Sequence, residues 1–167
     1  ARCPGLPPGK GAMAAPTDRS QLALVEPTPD TIEDDHVIQR ALCCDLEALA
    51  DGLPALPPSA AIRRLCARVT GITTVHFARA ERVVARLPAG ARPDAAALAG
   101  LREMHALDAA HGDDLVTALR DRLGPLPDAQ AGQLAYMLRC FFDGCRRAIA
   151  LKESWLAAAR RADVTPD

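Results

Sequence analysis

An apolar residue recurs every three or four positions along residues 59–87, and a histidine interrupts the series at its centre. The series is Ile62, Leu65, Val69, Ile72, His76, Ala80, Val83 and Leu87. This spacing places all eight side chains on one face of an α-helix. It predicts a long amphipathic helix, closed by Pro88, that directs the imidazole of His76 into the protein interior.

A second helix repeats the pattern. It is predicted from about Asp94 to Gly124-Pro125, with an inward face made of Leu98, Leu101, His105, Asp108, Gly112, Leu115 and Leu119. The carboxylate of Asp108 therefore lies one helical turn after His105 on the same face. His111 lies about 60° or more from the middle of that face, so we expect it nearer the surface.

Two further helices complete the pattern. The first is predicted from about Thr31 to Asp51, with Asp30 or Thr31 as N-cap, and Gly52 and Pro54 end it. Its apolar stripe leaves His36 on the flank and consists of Ile38, Leu42, Leu46, Leu49 and Leu53. The last helix is capped by Asp128, and its apolar face is Leu134, Met137, Leu138, Phe141, Cys145, Ala148, Lys152 and Trp155.

Four amphipathic helices joined by short connections predict an all-α, up-down-up-down four-helix bundle over residues 31–167. Residues 1–30 are rich in proline and glycine and show no apolar period, so a disordered leader is expected there. Met13 is a candidate start residue, which would place residues 1–12 outside the natural protein.

Composition narrows the classes of function. The 167 residues carry a net charge of −1 and only 3% aromatic residues, which argues against nucleic-acid or membrane partners. We expect no membrane span and no secretory signal. None of the six cysteines forms a C-x-x-C pair, so free thiols and a cytoplasmic location are expected.

The inward polar side chains are the candidate chemistry. Imidazoles of His36, His76 and His105 from three helices could bind iron, zinc or copper, and Asp108 favours iron or manganese. The alternative is a set of core histidines satisfied by hydrogen bonds without a metal. Cys43 and Cys145 could add thiolate ligands for zinc or copper, or simply fill the core as small apolar groups.

At these residues the chain resembles the hemerythrin-like, or HHE cation-binding, family. The matching segments are Asp35–Cys43, Val75–Glu81, Met104–Asp108 and Arg147–Glu153. The resemblance implies a four-helix bundle with a non-haem di-iron centre bridged by two glutamates. Members of this family bind O2 or NO, sense them, or handle iron.

The family's ligand order is only partly kept. Ala80, Ala148 and Lys152 stand where the resemblance places a glutamate, a histidine and a glutamate, and Glu81 and Glu153 each follow one position late. Five residues of α-helix turn about 500°, so Glu81 should face away from His76 unless a π-bulge rotates it inward.

Lys152 offers a physical account of these departures. Our hypothesis is that its ammonium replaces the charge of the metal, with Asp108 as counter-ion. The alternative is that Lys152 extends to solvent.

The resulting expectation is a non-enzymatic protein that binds iron, or another transition metal such as zinc, with or without O2 or NO. Its role would be sensing, carriage or storage. The candidate metal ligands are His36, His76, His105, Asp108, Glu81 and Glu153. The alternative is a metal-free, degenerate hemerythrin-like bundle that acts as an interaction or structural protein. The sequence leaves the oligomeric state open.

Overall fold

The computed structural model describes residues 26–120 and 126–164, and this part of the chain contains helices and no strand. The helices are α1 (Pro29–Gly52), α2 (Ser59–Gly71), α3 (Phe77–Ala85), α4 (Ala95–Arg120) and α5 (Asp128–Val164). The predicted all-α class is confirmed. Most of the predicted leader (residues 1–25), the predicted end of the third helix and residues 165–167 lie outside the described residues.

A π-helical turn, Ile72–His76, joins α2 to α3 without a break. The second predicted helix is therefore continuous from Ser59 to Ala85, but it contains this wider turn. A π turn holds more residues than an α turn, so it changes which side chains face inward after it.

A capping box begins α1. The Thr28 hydroxyl accepts from the Thr31 N–H at 3.3 Å, and the Thr31 hydroxyl accepts from the Thr28 N–H at 3.2 Å. The N-cap is therefore Thr28 rather than Asp30 or Thr31. The helix begins at Pro29, two residues before the predicted domain boundary, because proline suits the first helical position.

The helices bury a shared core. Helix α5 packs against α1 and α4, and α2 packs against α4 and α1. The largest buried apolar side chains include Leu42, Leu46, Leu101, Leu115, Leu134, Leu138 and Phe141. None of the helices within the described ranges is long and apolar enough to cross a membrane.

The inward face of α1 differs from the predicted one. Ile38 is 59% exposed, whereas Ile32, His36 and Gln39 are fully buried. The prediction counted only apolar residues, so it included the exposed Ile38 in the inward face and left out the buried polar residues His36 and Gln39. His36 therefore lies in the core and not on the flank.

The cysteines agree with the prediction in four cases. Free thiols are present at Cys43, Cys66, Cys140 and Cys145. Cys44 is disulfide-bonded, which corrects the expectation for that residue. The lack of a C-x-x-C spacing did not exclude a disulfide, because pairing depends on which cysteines the tertiary structure brings together.

Candidate functional site

Lys152 lies at the centre of a polar cluster in the core between the helices. We use this name for Lys152, three histidines and the three carboxylates beside them: His36, His76, His105, Asp35, Glu81 and Glu153. The side chain of Lys152 is 0% exposed, so the alternative in which it extends to solvent is wrong. Its Nζ lies 3.2 Å from His76 Nε2 and 3.4 Å from His105 Nε2. The amine group donates an N–H to each of the two imidazoles, which come from the π turn and from α4.

Carboxylates fix the orientation of both imidazoles. His76 Nδ1 lies 3.1 Å from Asp35 Oδ2, and His105 Nδ1 lies 2.8 Å from Glu81 Oε1. A carboxylate only accepts, so each Nδ1 carries the ring proton and donates it. Each Nε2 consequently keeps its lone pair and can accept from Lys152.

The third histidine is less well satisfied. His36 is fully buried, and its ring meets that of His76 edge-on with the centroids 5.6 Å apart. Its Nδ1 lies 3.4 Å from Glu153 Oε1 without hydrogen-bond geometry. Among the described residues, neither ring nitrogen of His36 has a hydrogen-bond partner.

Arginines hold the carboxylates from outside. Each of the three carboxylates near a histidine also faces one guanidinium group. The pairs are Arg40–Glu153 at 2.6 Å, Arg79–Asp35 at 2.8 Å and Arg102–Glu81 at 3.7 Å. Each carboxylate thus lies between an inward imidazole and an outward guanidinium. Asp35 and Glu81 lie at Nδ1 of His76 and His105, on the side of the ring away from Lys152.

The π turn explains how Glu81 reaches this cluster. The Phe77 N–H bonds to the Ile72 carbonyl, and this wider turn buries both His76 and Phe77. Glu81 follows Phe77 by four residues, which is one α-helical turn. It is therefore half-buried and contacts His105, where counting from His76 on an ideal helix placed it on the opposite face.

Phe77 also packs against the cluster. Its ring stacks on that of His105 at 4.2 Å between centroids, with an interplanar angle of 2°. The stacked Phe77 ring restricts rotation of the His105 imidazole. His105 is therefore held by Phe77 on one face, by Glu81 at Nδ1 and by Lys152 at Nε2.

Burial sets the protonation states of the cluster. Burial and, second to it, the charge of Lys152 lower the pKa values of His36, His76 and His105 to about 4. Burial also lowers the pKa of Lys152 to about 8, against the opposing influence of Cys145 and Asp108. At pH 7 the imidazoles are uncharged and Lys152 carries the cluster's positive charge.

Asp108 is buried beside Lys152 without pairing with it. No ion pair joins the two side chains in the described structure, so the predicted Lys152–Asp108 pair is wrong as a direct contact. Asp108 Oδ2 has no hydrogen-bond partner in the part of the chain that the structure describes, and burial raises the pKa of this carboxyl group. The carboxylate packs against Gly144 of α5, where an added Cβ would lie 2.1 Å from Oδ1.

The remaining candidates lie apart from the imidazoles. Cys43 and Cys145 are buried next to each other, and contact with Cys43 together with burial raises the pKa of the Cys145 thiol. His111 is half-buried, nearer the surface as expected. Sequence reasoning missed Asp35, which contacts His76, and Gln39, which is fully buried near Cys145. Gln39 follows His36 by three residues, so helical spacing could have revealed it.

The described side chains do not fit a di-iron centre. Such a centre needs carboxylates between the imidazoles, but Glu81 and Glu153 lie on the Nδ1 side with arginines. The Lys152 amine occupies the Nε2 side instead. In the described ranges no group of three or more His, Cys, Asp or Glu residues is arranged to hold a metal ion.

No family model, no curated protein and no solved structure matches the chain.

Proposed function

We propose that this chain is a hemerythrin-like, up-down-up-down four-helix bundle that holds a lysine in place of the metal. On this proposal it acts as an interaction or structural protein and not as an iron carrier. One observation carries the proposal: Lys152 Nζ lies within hydrogen-bond distance of Nε2 of both His76 and His105. Those are the nitrogen atoms that would bind a metal.

Helix packing supports the bundle arrangement. Helices α1 and α4 both pack on α5, and α2 packs on α4 and α1. Six residues connect α1 to α2, and nine connect α3 to α4. Connections this short favour antiparallel neighbours in a bundle.

Charge compensation supports the replacement of the metal. A metal ion in this position would satisfy the inward lone pairs of the imidazoles. The Lys152 amine satisfies two of them with N–H donors and a single positive charge. It needs no bridging carboxylates, which accords with alanine at position 80, where the family resemblance places a glutamate.

Elemental analysis of the untagged, full-length protein tests the proposal. We expect no stoichiometric iron, zinc, copper or manganese in the wild type. The variant Lys152→Glu should gain metal, because it restores a carboxylate where the resemblance places one. Lys152→Met is the matched control and should gain none. One or two iron atoms per wild-type chain would contradict the proposal.

A metal-binding function is the second candidate, and one observation favours it. The Nδ1 atoms of His76 and His105 are held by carboxylates, as in metal sites where a second layer of residues orients ligating histidines. On this reading Lys152 turns away, and iron or zinc binds the histidines, with or without O2 or NO. Absorbance spectra in air and with reductant would then differ.

A cytoplasmic location belongs to the same proposal. Four free thiols support it, while the disulfide of Cys44 is typical of an oxidising compartment. Fractionation of cells that express the full-length protein tests the location: we expect the protein with the cytoplasmic marker, and its recovery in an exported fraction would contradict that location.

A further inference from the structure

A groove lies between the end of α1 and the start of α2, and it shares no residue with the polar cluster. Its volume is about 590 Å³. Sites for small molecules typically measure about 300–1,000 Å³. The apolar part of its lining is Ala48, Leu49, Leu56, Pro57, Ala61 and Leu65. The groove is therefore large enough for one small ligand, and its chemistry is independent of Lys152.

The inner surface of the groove belongs to the hydrophobic core. Leu49 is buried in that core, and the partly buried Leu56 and Leu65 pack against it. Among the described residues, the lining contains no aromatic side chain. A planar ring would therefore find nothing to stack on, whereas an aliphatic chain gains from contact with the leucines.

Three charged side chains also line the groove: Asp45 of α1, and Arg64 and Arg68 of α2. Arg68 forms an ion pair with Asp45. Arg64 is exposed, and no carboxylate within residues 26–120 and 126–164 pairs with it. One unpaired guanidinium group is thus left beside an apolar surface.

The charges of the groove favour one class of anion. Two arginines against one aspartate leave a net charge of +1, which complements a monoanion. A dianionic group such as a phosphate would meet the negative charge of Asp45 as well. A guanidinium group also binds both oxygens of a carboxylate at once. The polar end of the ligand is therefore expected to be a single carboxylate.

We propose that this groove binds a free carboxylate with an unbranched alkyl chain, of the fatty-acid class. The carboxylate pairs with Arg64, and the alkyl chain contacts Leu49, Leu56 and Leu65. Burial of the chain provides affinity, and Arg64 provides the preference for an acid over an uncharged molecule of the same length. This division of roles is typical of small-molecule sites, in which a few polar groups orient a ligand on an apolar surface.

Calorimetric titration of the untagged, full-length protein with decanoate tests the proposal. We expect one decanoate to bind per chain. Decanol has the same chain without the charge and should bind about tenfold more weakly, since it lacks the hydrogen bonds between charged groups. No binding of decanoate, or equal affinity for decanol, would overturn the proposal.

Two neighbouring arginines of α2 provide a matched pair of variants. Arg64→Gln should lower the affinity for decanoate about tenfold and leave that for decanol unchanged. Arg63 lies outside the described lining of the groove, and its guanidinium group donates to Ser59 Oγ at 3.3 Å. Arg63→Gln should therefore bind decanoate like the wild type. Equal losses in the two variants would show that general surface charge, and not Arg64, attracts the ligand.

Filling the groove tests where the chain binds. Ala48 is an exposed residue of the lining, so Ala48→Phe should abolish binding without disturbing the core. Ala67 is exposed on α2 outside the described lining, and Ala67→Phe should leave binding unchanged. Sedimentation tests the other occupant. A wild-type dimer that Ala48→Phe makes monomeric would assign the groove to a second copy of the chain and overturn the proposal.

Discussion

Lys152 Nζ and His76 Nε2 lie 3.2 Å apart in the core between the helices, and Nδ1 on the other side of the imidazole donates a hydrogen bond to Asp35. An amine and an imidazole in such a contact cannot both be protonated without strong repulsion in a medium of low polarity. The stability of the fold should therefore depend on pH on both sides of neutrality.

Stability should rise at alkaline pH because of Lys152. Its pKa falls from 10.5 to about 8 on folding, so the unfolded chain binds more protons between these values. The free energy of unfolding should increase by about 3 kcal/mol from pH 8 to 10.5, since one pKa unit is worth about 1.4 kcal/mol. Below pH 8 this contribution is constant. Urea unfolding of the wild type and of Lys152→Met between pH 8 and 10.5 gives the two free energies of unfolding, and their difference measures the contribution of Lys152.

That difference also removes effects of other groups that titrate at high pH. Lys152→Met keeps the length of the side chain and lacks the amine, so its stability curve should be flatter than that of the wild type. Parallel curves for the two proteins would show that Lys152 is not held in a buried site.

Acid should unfold the protein through its histidines. The pKa values of His36, His76 and His105 fall from 6.5 to about 4 on folding, so the unfolded chain binds up to three more protons in this window. The free energy of unfolding should fall as pH drops, with a slope of up to about 1.4 kcal/mol per pH unit for each histidine. His105→Gln should reduce the slope by about one third. An unchanged slope would exclude His105 from the buried cluster.

Gly144 should tolerate no larger residue while Asp108 is present. An added Cβ would lie 2.1 Å from Asp108 Oδ1, so Gly144→Ala should destabilise the fold by about 2 kcal/mol. Combining it with Asp108→Ala should remove most of that cost, because the clashing carboxylate is gone. A double-mutant cycle by chemical denaturation measures this coupling.

The same helix supplies a matched control. Within residues 26–120 and 126–164, no atom lies within 4 Å of a Cβ added at Gly132 in α5. Gly132→Ala should therefore stabilise the fold by about 0.5–1 kcal/mol, from the helix propensity of alanine alone. Equal effects at positions 132 and 144 would refute the close packing of Asp108 against α5.

Helical spacing predicted much of the cluster. It placed His76, His105, Asp108 and Lys152 on inward faces, and all four are buried. It failed for Glu81, because the π turn at Ile72–His76 changes the register of the following residues. It also failed for His36, because a stripe defined by apolar residues alone ignores inward polar positions.

The sequence by itself determined the helices, because period, caps and proline and glycine stops are local properties of the chain. It also determined that two histidines and a lysine face inward. Only the tertiary structure decided their partners: Lys152 with two imidazoles and not with Asp108, Asp35 and Glu81 on the opposite ring nitrogens, and Asp108 against Gly144. Those contacts depend on how helices distant in sequence are rotated and spaced, and no local pattern encodes that.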